Sequence, residues 1–487
     1  MRLVLGIDAG TGGCKCIFLD EGGNVAAKGS EEYSPFTKTD GTVEQDPADW
    51  YRAAIRVIKR LEAEGKVRLN EVRAAAVTGQ MQGVTLIGKD GETVRKSVLW
   101  SDTRSRDEAA ELNRRHGNTF LRICSMEYSS ALTASKIRWI RKHEPEAWER
   151  TARFTVGAGY IPFRLCGKVI SDTHNIGRTG LNDLNNGGWS GELLEINDIP
   201  AEKLPEVHDC FSVAGTVTQK AAAETGLPAG TPVVAGCGDA GAEGYAAGLA
   251  FSPRMKIRLG SAASLNIVVP HKTFFDRGCT NGINDVVAGH ISLGAYTKSC
   301  AQSVKWAREV FFSELPKGPL AYGSMDSEGA RSPLGAKNLL FHPYLYGEHA
   351  PYYDPSLSAK FHGIHGEHRR GDFVRAIYEG ASFSIRDAIE SLPAFREPAE
   401  YIYIGGGVKS SLWLSILTDV LGRQALLPRE CDAAYGAALI AGHAAGCFNA
   451  RTVIDESLRQ ARTVTPNLQN HYEYDLIYEK YKLLAGT

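Results

Sequence analysis

The chain has 487 residues, of which 43% are hydrophobic and 23% charged, with a formal net charge of −1. That length exceeds one ordinary hydrophobic core and predicts two or three domains. The balanced charge excludes a global field that would draw the chain to nucleic acid or to an anionic membrane.

The elements follow in chain order. RLVLGID reads as an apolar strand running into the Gly-rich turn AGTGG, and CKCIFLD follows as a second strand before a turn at Glu21–Asn24 and the strand VAAKGSEEY. This is a hairpin meander by its turn residues. Cys14 and Cys16 alternate on one strand face as small core residues. Pro47 to Glu64 carries Trp50, Ala54, Val57, Ile58 and Leu61 at helical spacing, with Asp46 as N-cap before Pro47. VRAAAVTG is a buried strand, and GVTLIGKDGETV reads as a hairpin around Asp90-Gly91.

A similar order recurs in the second half. MKIRLGSAASLNIVV is strand, Gly-rich turn, strand. Helices are predicted over Lys298–Phe312 and Asp372–Leu392, and the strand EYIYIGGG opens the helix SLWLSILTDVLG. Leu227–Pro232 and Pro316–Pro333 read as loops. Two halves that each mix hairpins and helices predict two α/β domains with a cleft between them, joined near Leu249.

The N-terminal apolar run is interrupted by Gly6 and Asp8, too early for a signal peptide, and the Ala/Gly-rich Ala433–Phe448 falls short of a membrane span. The ten cysteines include no CxxC pair and the thirteen histidines no HxH or HExxH pair, so no transition-metal site is expected. A reducing cytoplasm fits this usage.

Three turns share one chemistry. GIDAGTGG (Gly6–Gly13), IRLGSAAS (Ile257–Ser264) and IYIGGGVKSS (Ile402–Ser411) each follow an apolar strand, where glycine lets backbone N–H groups approach a phosphate and a hydroxyl adds a donor. None is a Walker A sequence, and GIDAGTGG opens a strand where a dinucleotide fingerprint must open a helix. Asp8 stands where a carboxylate holds Mg²⁺ against phosphates, or where an Asp organises its own turn. Asp239, in VVAGCGDAGAEG, has two readings on spacing alone. It is a base for a substrate hydroxyl, or the N-cap of AGAEGYAAGLA. Trp50, Trp100, Trp139 and Trp413 read as packing residues, and Arg369-Arg370 as a solvated turn before a helix capped by Asp372.

These motifs together resemble the FGGY carbohydrate kinases of the actin-like ATPase fold, most closely their xylulokinase group. The similarity runs through GIDAGTGG, TGQMQG (Thr78–Gly83), VLWSDTR (Val98–Arg104), SKIRWIRKHEP, PVVAGCGDAGAEG, LGSAAS, PYLYGEHAPYYDP, AKFHGIHGEHRRGDFVRAIYE and IGGGVKSSLW in that order. The resemblance implies two actin-like (ribonuclease H-like) domains of mixed sheet flanked by helices, over 1–248 and 249–487, with the catalytic cleft between them. It implies ATP and Mg²⁺ as cofactors, with Asp8 as metal ligand and Asp239 as catalytic base. Thr11, Gly12 and Lys15 form the first phosphate site, Gly260 and Ser261 the second, and Gly405, Gly406 and Ser410 the adenosine contacts. Met81, Gln82 and Asp102, with Asp239, fall at the sugar. A homodimer is a family-level expectation; no nucleic acid or membrane partner is expected.

The implied reaction is ATP-dependent phosphorylation of a small sugar, first a ketopentose such as D-xylulose. Two departures open other acceptors (erythritol, ribulose, gluconate, glycerol or a signalling dihydroxy compound). Gln82 stands where the pattern GQMHG has His, and Ala240 where GGGDNA has Asn. The second loop has Ser261 and Ala262 where LGTSG is usual. An actin-like ATPase or a sugar-responsive binding protein without transfer activity is the reading from a different class.

Overall fold

The computed structural model describes residues 2–276, 281–391 and 398–485. Among them, one sheet has six strands. They are β1 (Leu3–Ala9), β2 (Gly13–Leu19), β3 (Val25–Glu32), β4 (Val72–Gly79), β5 (Val213–Thr216) and β6 (Pro232–Val234), in the order β5-β6-β4-β1-β2-β3. β1 pairs antiparallel with β2 and parallel with β4, and β4 pairs parallel with β6. β1 is buried along nearly its whole length, which is why LVLGIDA shows no alternation.

A second sheet repeats this plan among the described residues. Its strands are β7 (Arg254–Leu259), β8 (Ala263–Pro270), β9 (Ile283–Asn284), β10 (His290–Tyr296), β11 (Glu400–Ile404), β12 (Ala425–Leu427) and β13 (Arg462–Val464), in the order β9-β10-β8-β7-β11-β12-β13. Again a hairpin, β7–β8, is followed by parallel neighbours, β7–β11 and β11–β12, and by an antiparallel edge, β12–β13. The recurrence read from the two Gly-rich turns is therefore a recurrence of sheet topology.

The helices that position the site are α1 (Pro47–Ala63), α2 (Asp239–Ala246), α3 (Arg370–Glu390), α4 (Ser411–Leu421) and α5 (Ala433–Ala444). α1 starts as predicted. Asp46 Oδ1 accepts the Ala48 N–H at 3.0 Å, a cap typically worth about 1 kcal/mol, and Trp50, Ala54, Val57, Ile58 and Leu61 form its buried stripe. α5 is the Ala/Gly-rich stretch, buried from Ala433 to Gly442. Its small residues let backbones touch, since a Cβ on Gly6 of β1 would lie 2.1 Å from Ala434 O. Among the described residues no helix is long and apolar enough to cross a membrane.

The chain divides into two compact units. One comprises Met1–Ala250, Val269–Ser292 and Glu430–Asp455, and the other Phe251–Val268, Leu293–Arg429 and Glu456–Thr487. The sequence split at 248/249 lies next to the first crossover at Ala250, whereas Glu430–Asp455, with α5, packs in the first unit.

Some elements differ from the sequence reading. Pro316–Pro333, read as a loop, contains a helix over Pro319–Gly329. Pro319 starts it, and Ala321, Met325 and Gly329, four residues apart, are its buried contacts. The helix predicted from Asp372 begins at Arg370, with Asp372 at its third position accepting the Arg369 N–H at 2.8 Å; the predicted end, Leu392, lies outside the described residues. Arg370 is no free surface cation. It pairs with Glu314 and Glu328, and its guanidinium lies 4.1 Å from the Phe312 ring centre.

Candidate active site

In the first unit the chemistry gathers at one edge. β1, β4 and β6 run parallel, so their C-terminal ends bring together Asp8 with the Gly10–Gly13 turn, Gln80–Gln82, and the Gly236–Asp239 loop. The C-terminal edge of parallel strands is where an open α/β sheet binds its ligands.

The Gly10–Gly13 turn is braced from below. Gly10 N–H donates to Gly13 O at 3.0 Å, and the Tyr33 hydroxyl donates to Gly10 O at 2.7 Å. Gln45 is 3% exposed; its Nε2 donates to Thr11 O at 2.7 Å, while its Oε1 accepts Trp50 Nε1–H at 2.9 Å and Gln80 Nε2–H at 3.2 Å. Thr11 Oγ1 accepts Trp100 Nε1–H at 3.1 Å and lies 3.5 Å from Gln80 Oε1. The Thr11 hydroxyl is thus committed to protein partners, and an anion at this turn would be met by backbone N–H groups. A Cβ placed on Gly12 would meet nothing within 4 Å, so that side of the turn is open. Asp8 sits across from Lys15 in the β1–β2 ladder and beside Thr78 of β4. Lys15 Nζ pairs with Asp432, whose other oxygen caps α5 by accepting the Tyr435 N–H at 2.9 Å.

Asp239 is the first residue of α2, and the N-cap is Gly238, in extended conformation with φ −70° and ψ 158°. The capping role open to Asp239 on sequence therefore falls to a residue without a side chain. Asp239 Oδ1 accepts the N–H of Ala240 at 2.8 Å. The loop is closely packed: a Cβ on Gly238 would stand 2.4 Å from Met81 Sδ, and one on Gly241 would stand 2.5 Å from His174 Nε2. The base candidate and the TGQMQG string are therefore neighbours. Met81 is 9% exposed, and Ala240 packs on the apolar cluster that contains it. Gln82 is left-handed, with φ +66°, and its carbonyl accepts the Thr133 hydroxyl at 2.9 Å.

Asp102 is 1% exposed and fully engaged. Its Oδ2 accepts the Val43 N–H at 2.8 Å and Arg104 Nη2–H at 2.7 Å, and its Oδ1 accepts the Arg104 N–H at 3.1 Å. Arg104 also pairs with Glu44 at 2.6 Å, stacks 4.3 Å over Trp139, and has its guanidinium pKa held up by Asp102 and Glu44 against the opposing effect of burial. The structure thus uses Asp102 as a brace of the loop that presents Trp100. Beneath that loop Lys136, 1% exposed, donates to the carbonyls of Ser130 at 2.6 Å and Asp102 at 3.0 Å; burial brings its pKa down to about 7. Trp50 and Trp413 are packed as expected, but Trp100 is 45% exposed, because its indole spans from this loop to Thr11.

In the second unit the two remaining Gly-rich turns stand side by side at the C-terminal ends of β7 and β11. Gly405 has φ +95°, and a Cβ there would lie 2.9 Å from Leu259 O. Gly260 O accepts the Ala301 N–H at 2.9 Å, and Ser261 O accepts those of Cys300 at 2.8 Å and Gln302 at 3.1 Å, which fixes the loop by its carbonyls and leaves the Ser261 residue exposed. Gly406 is open, with nothing within 4 Å of an added Cβ. Ser410 is the N-cap of α4: Oγ accepts the Trp413 N–H at 3.1 Å and donates to Asp326 Oδ1 at 2.9 Å. Its hydroxyl is already satisfied within the protein.

Gln45, Gln80 and His174 were not singled out from sequence. Gln80 lay inside a recognised string, but nothing in the local pattern around Gln45 or His174 distinguishes a buried, bonded side chain from a surface one.

The N-terminal domain model of the FGGY family of carbohydrate kinases matches residues 3–243, and the C-terminal domain model of that family matches residues 255–445. A xylulose kinase of Bacillus subtilis is 29% identical over 99% of this chain and 96% of its own length. The crystal structure of a xyloylose kinase from Brucella ovis, 27% identical, superposes with a TM-score of 0.89 over 99% of this chain and 98% of that one. A xylulose kinase from Rhodospirillum rubrum, also 27% identical, gives 0.87 over the same shares. The repeated sheets, the paired Gly-rich turns and the match of both domain models over most of the chain lead to one conclusion: the chain belongs to the FGGY family of carbohydrate kinases, phosphotransferases with an alcohol group as acceptor.

Proposed function

We propose that this chain transfers the γ-phosphoryl group of ATP to a hydroxyl of a ketopentose, with D-xylulose as first candidate and Asp239 as the base. The observation that carries the reading is the position of Asp239. It starts α2 at the C-terminal edge of the first sheet, on a loop packed against Met81. The relatives named xylulose kinase match the chain over nearly its full length, which supports the choice of sugar.

In this reading the acceptor O–H gives its proton to the Asp239 carboxylate as the oxygen bonds to phosphorus and the bond to ADP breaks. The proton moves late, and positioning carries most of the rate. Met81, Gln82 and the Trp100 loop define the acceptor side. The Gly10–Gly13 and Gly260–Ala262 turns present backbone N–H groups for phosphate, and Gly405–Gly406 give the adenosine close approach to the backbone. Among the described residues no group of three His, Cys, Asp or Glu could hold a metal ion. A single carboxylate, Asp8, beside the Gly10–Gly13 turn suits Mg²⁺, which keeps waters and substrate phosphates among its ligands. When bound, the ion neutralises phosphate charge.

Ala240 and Gln82 favour a second reading within the family, another small sugar or polyol as acceptor. Ala240 has no side-chain amide to offer the sugar beside the base, and a sugar hydroxyl buried there unpaired would cost about 1–3 kcal/mol. An ADP-release assay over D-xylulose, L-xylulose, D-ribulose, gluconate, glycerol and erythritol decides. Preferred turnover of D-xylulose is expected; turnover of D-xylulose no faster than ATP hydrolysis alone would overturn the choice of sugar.

A further inference from the structure

We infer that His174 is a positioning residue for Asp239, acting through the backbone of Gly238. The inference rests on the reading of Asp239 as the base.

His174 follows the short strand Ile170–Asp172 and is fully buried. Its own backbone is anchored by Asp172. Asp172 Oδ1 accepts the N–H of His174 at 3.0 Å and of Asn175 at 2.7 Å, and Oδ2 accepts Asn175 Nδ2–H at 2.6 Å. The ring then meets the base loop twice. Gly238 N–H donates to His174 Nδ1 at 3.3 Å, and Gly241, one residue beyond Ala240, lies so close that a Cβ there would be 2.5–2.8 Å from Nε2, Cε1 and Cδ2.

Both contacts bracket Asp239. The peptide N–H held by Nδ1 belongs to the N-cap of α2, and the next residue carries the carboxylate. A glycine at this position has no side chain of its own to restrict it, so its extended conformation depends on what holds its N–H and on packing. Rotation about the Gly238 bonds would swing the Asp239 carboxylate away from the acceptor, and a shift of about 1 Å in a reacting group can cost about a hundredfold in rate. Because Nδ1 accepts, the neutral imidazole carries its proton on Nε2. None of the FGGY motifs recognised in the sequence includes this histidine.

A packing role and a positioning role predict opposite orders for two substitutions. Asparagine places its Oδ1 two bonds from Cβ, where Nδ1 stands in histidine, but leaves ring volume empty. Glutamine fills more of the volume and has no acceptor at that point. With positioning, H174Q and H174L lose kcat by about tenfold or more with KM for sugar and ATP nearly unchanged, while H174N keeps kcat within about threefold despite a lower Tm. Equal losses in H174N and H174Q, wild-type kcat in both, or losses that follow Tm would overturn the inference. The ¹⁵N shifts of the His174 ring in labelled wild-type protein need no variant. They should report a neutral ring with an unprotonated Nδ1, and the opposite tautomer would remove the acceptor and the proposal with it. D239N separates the two layers. Full sugar phosphorylation in D239N defeats the base assignment, whereas an inactive D239N with indistinguishable H174N and H174Q defeats only the role of His174.

Discussion

Asp102 and Arg104, two residues apart, are locked together. Arg104 Nη2 lies 2.7 Å from Asp102 Oδ2, Arg104 Nε lies 3.0 Å from the same oxygen, and the carboxylate is 1% exposed. Arg104 also holds Glu44, which in turn pairs with Arg95. Removing one member of such a buried set strands a charge. We expect R104M to destabilise the protein by about 3–5 kcal/mol, and D102N/R104M to recover part of that loss because the stranded carboxylate is gone. Urea denaturation of the three proteins checks this; a double variant no more stable than R104M would contradict it.

Gln45 ties Thr11, Trp50 and Gln80 together under the first Gly-rich turn. Q45L leaves the Trp50 N–H and the Gln80 amide without their acceptor, at about 1–3 kcal/mol. Since the bond to Thr11 O also goes, KM for ATP should rise more than KM for the sugar. Initial-rate kinetics with each substrate varied in turn would reveal the opposite pattern if the turn served the acceptor alone.

As the proposed base, Asp239 should be needed in turnover far more than in nucleotide binding. We expect D239N to lower kcat by about 10²–10⁴-fold while ADP still raises Tm as it does in wild type. Loss of the ADP-induced shift together with activity would point to a collapsed loop instead.

Lys136 offers a test by pH. Its folded pKa is about 7 against an ordinary 10.5, with burial as the cause. Between these values the unfolded chain binds the proton and the folded one does not, so stability from this site rises with pH over that window and is flat below about 7. The stability of wild type relative to K136M should therefore grow between pH 7 and 9, by at most about 1.4 kcal/mol per unit. Parallel Tm profiles for the two proteins would show that Lys136 keeps an ordinary pKa.

Much of this was legible beforehand because it is written in local spacing. An apolar strand, a Gly-rich turn and a second strand predict a hairpin wherever they occur, and both hairpins formed, at β1–β2 and β7–β8. The helix over Pro319–Gly329 was missed because Gly323, Ser324 and Ser327 look like loop residues, while its buried contacts, Ala321, Met325 and Gly329, are small or spaced too sparsely to read as a stripe. That Asp239 follows a buried strand could be read from sequence. That the cap is Gly238 could not, since capping is decided by backbone angles.

By itself the sequence determined the repeated strand–turn–strand plan, the order of the family motifs and the candidates Asp8, near the end of a buried strand, and Asp239, in the loop and helix start that follow one. Only the tertiary structure decided which polar groups are already taken. Thr11 is held by Gln45 and Trp100, Ser410 by Asp326 and the Trp413 N–H, Asp102 by Arg104, and Lys15 by Asp432, 417 residues away. The physical reason is range. Periodicity and turn chemistry act over a few residues, whereas a buried polar group must find its partner among whatever the fold brings beside it, at any distance along the chain.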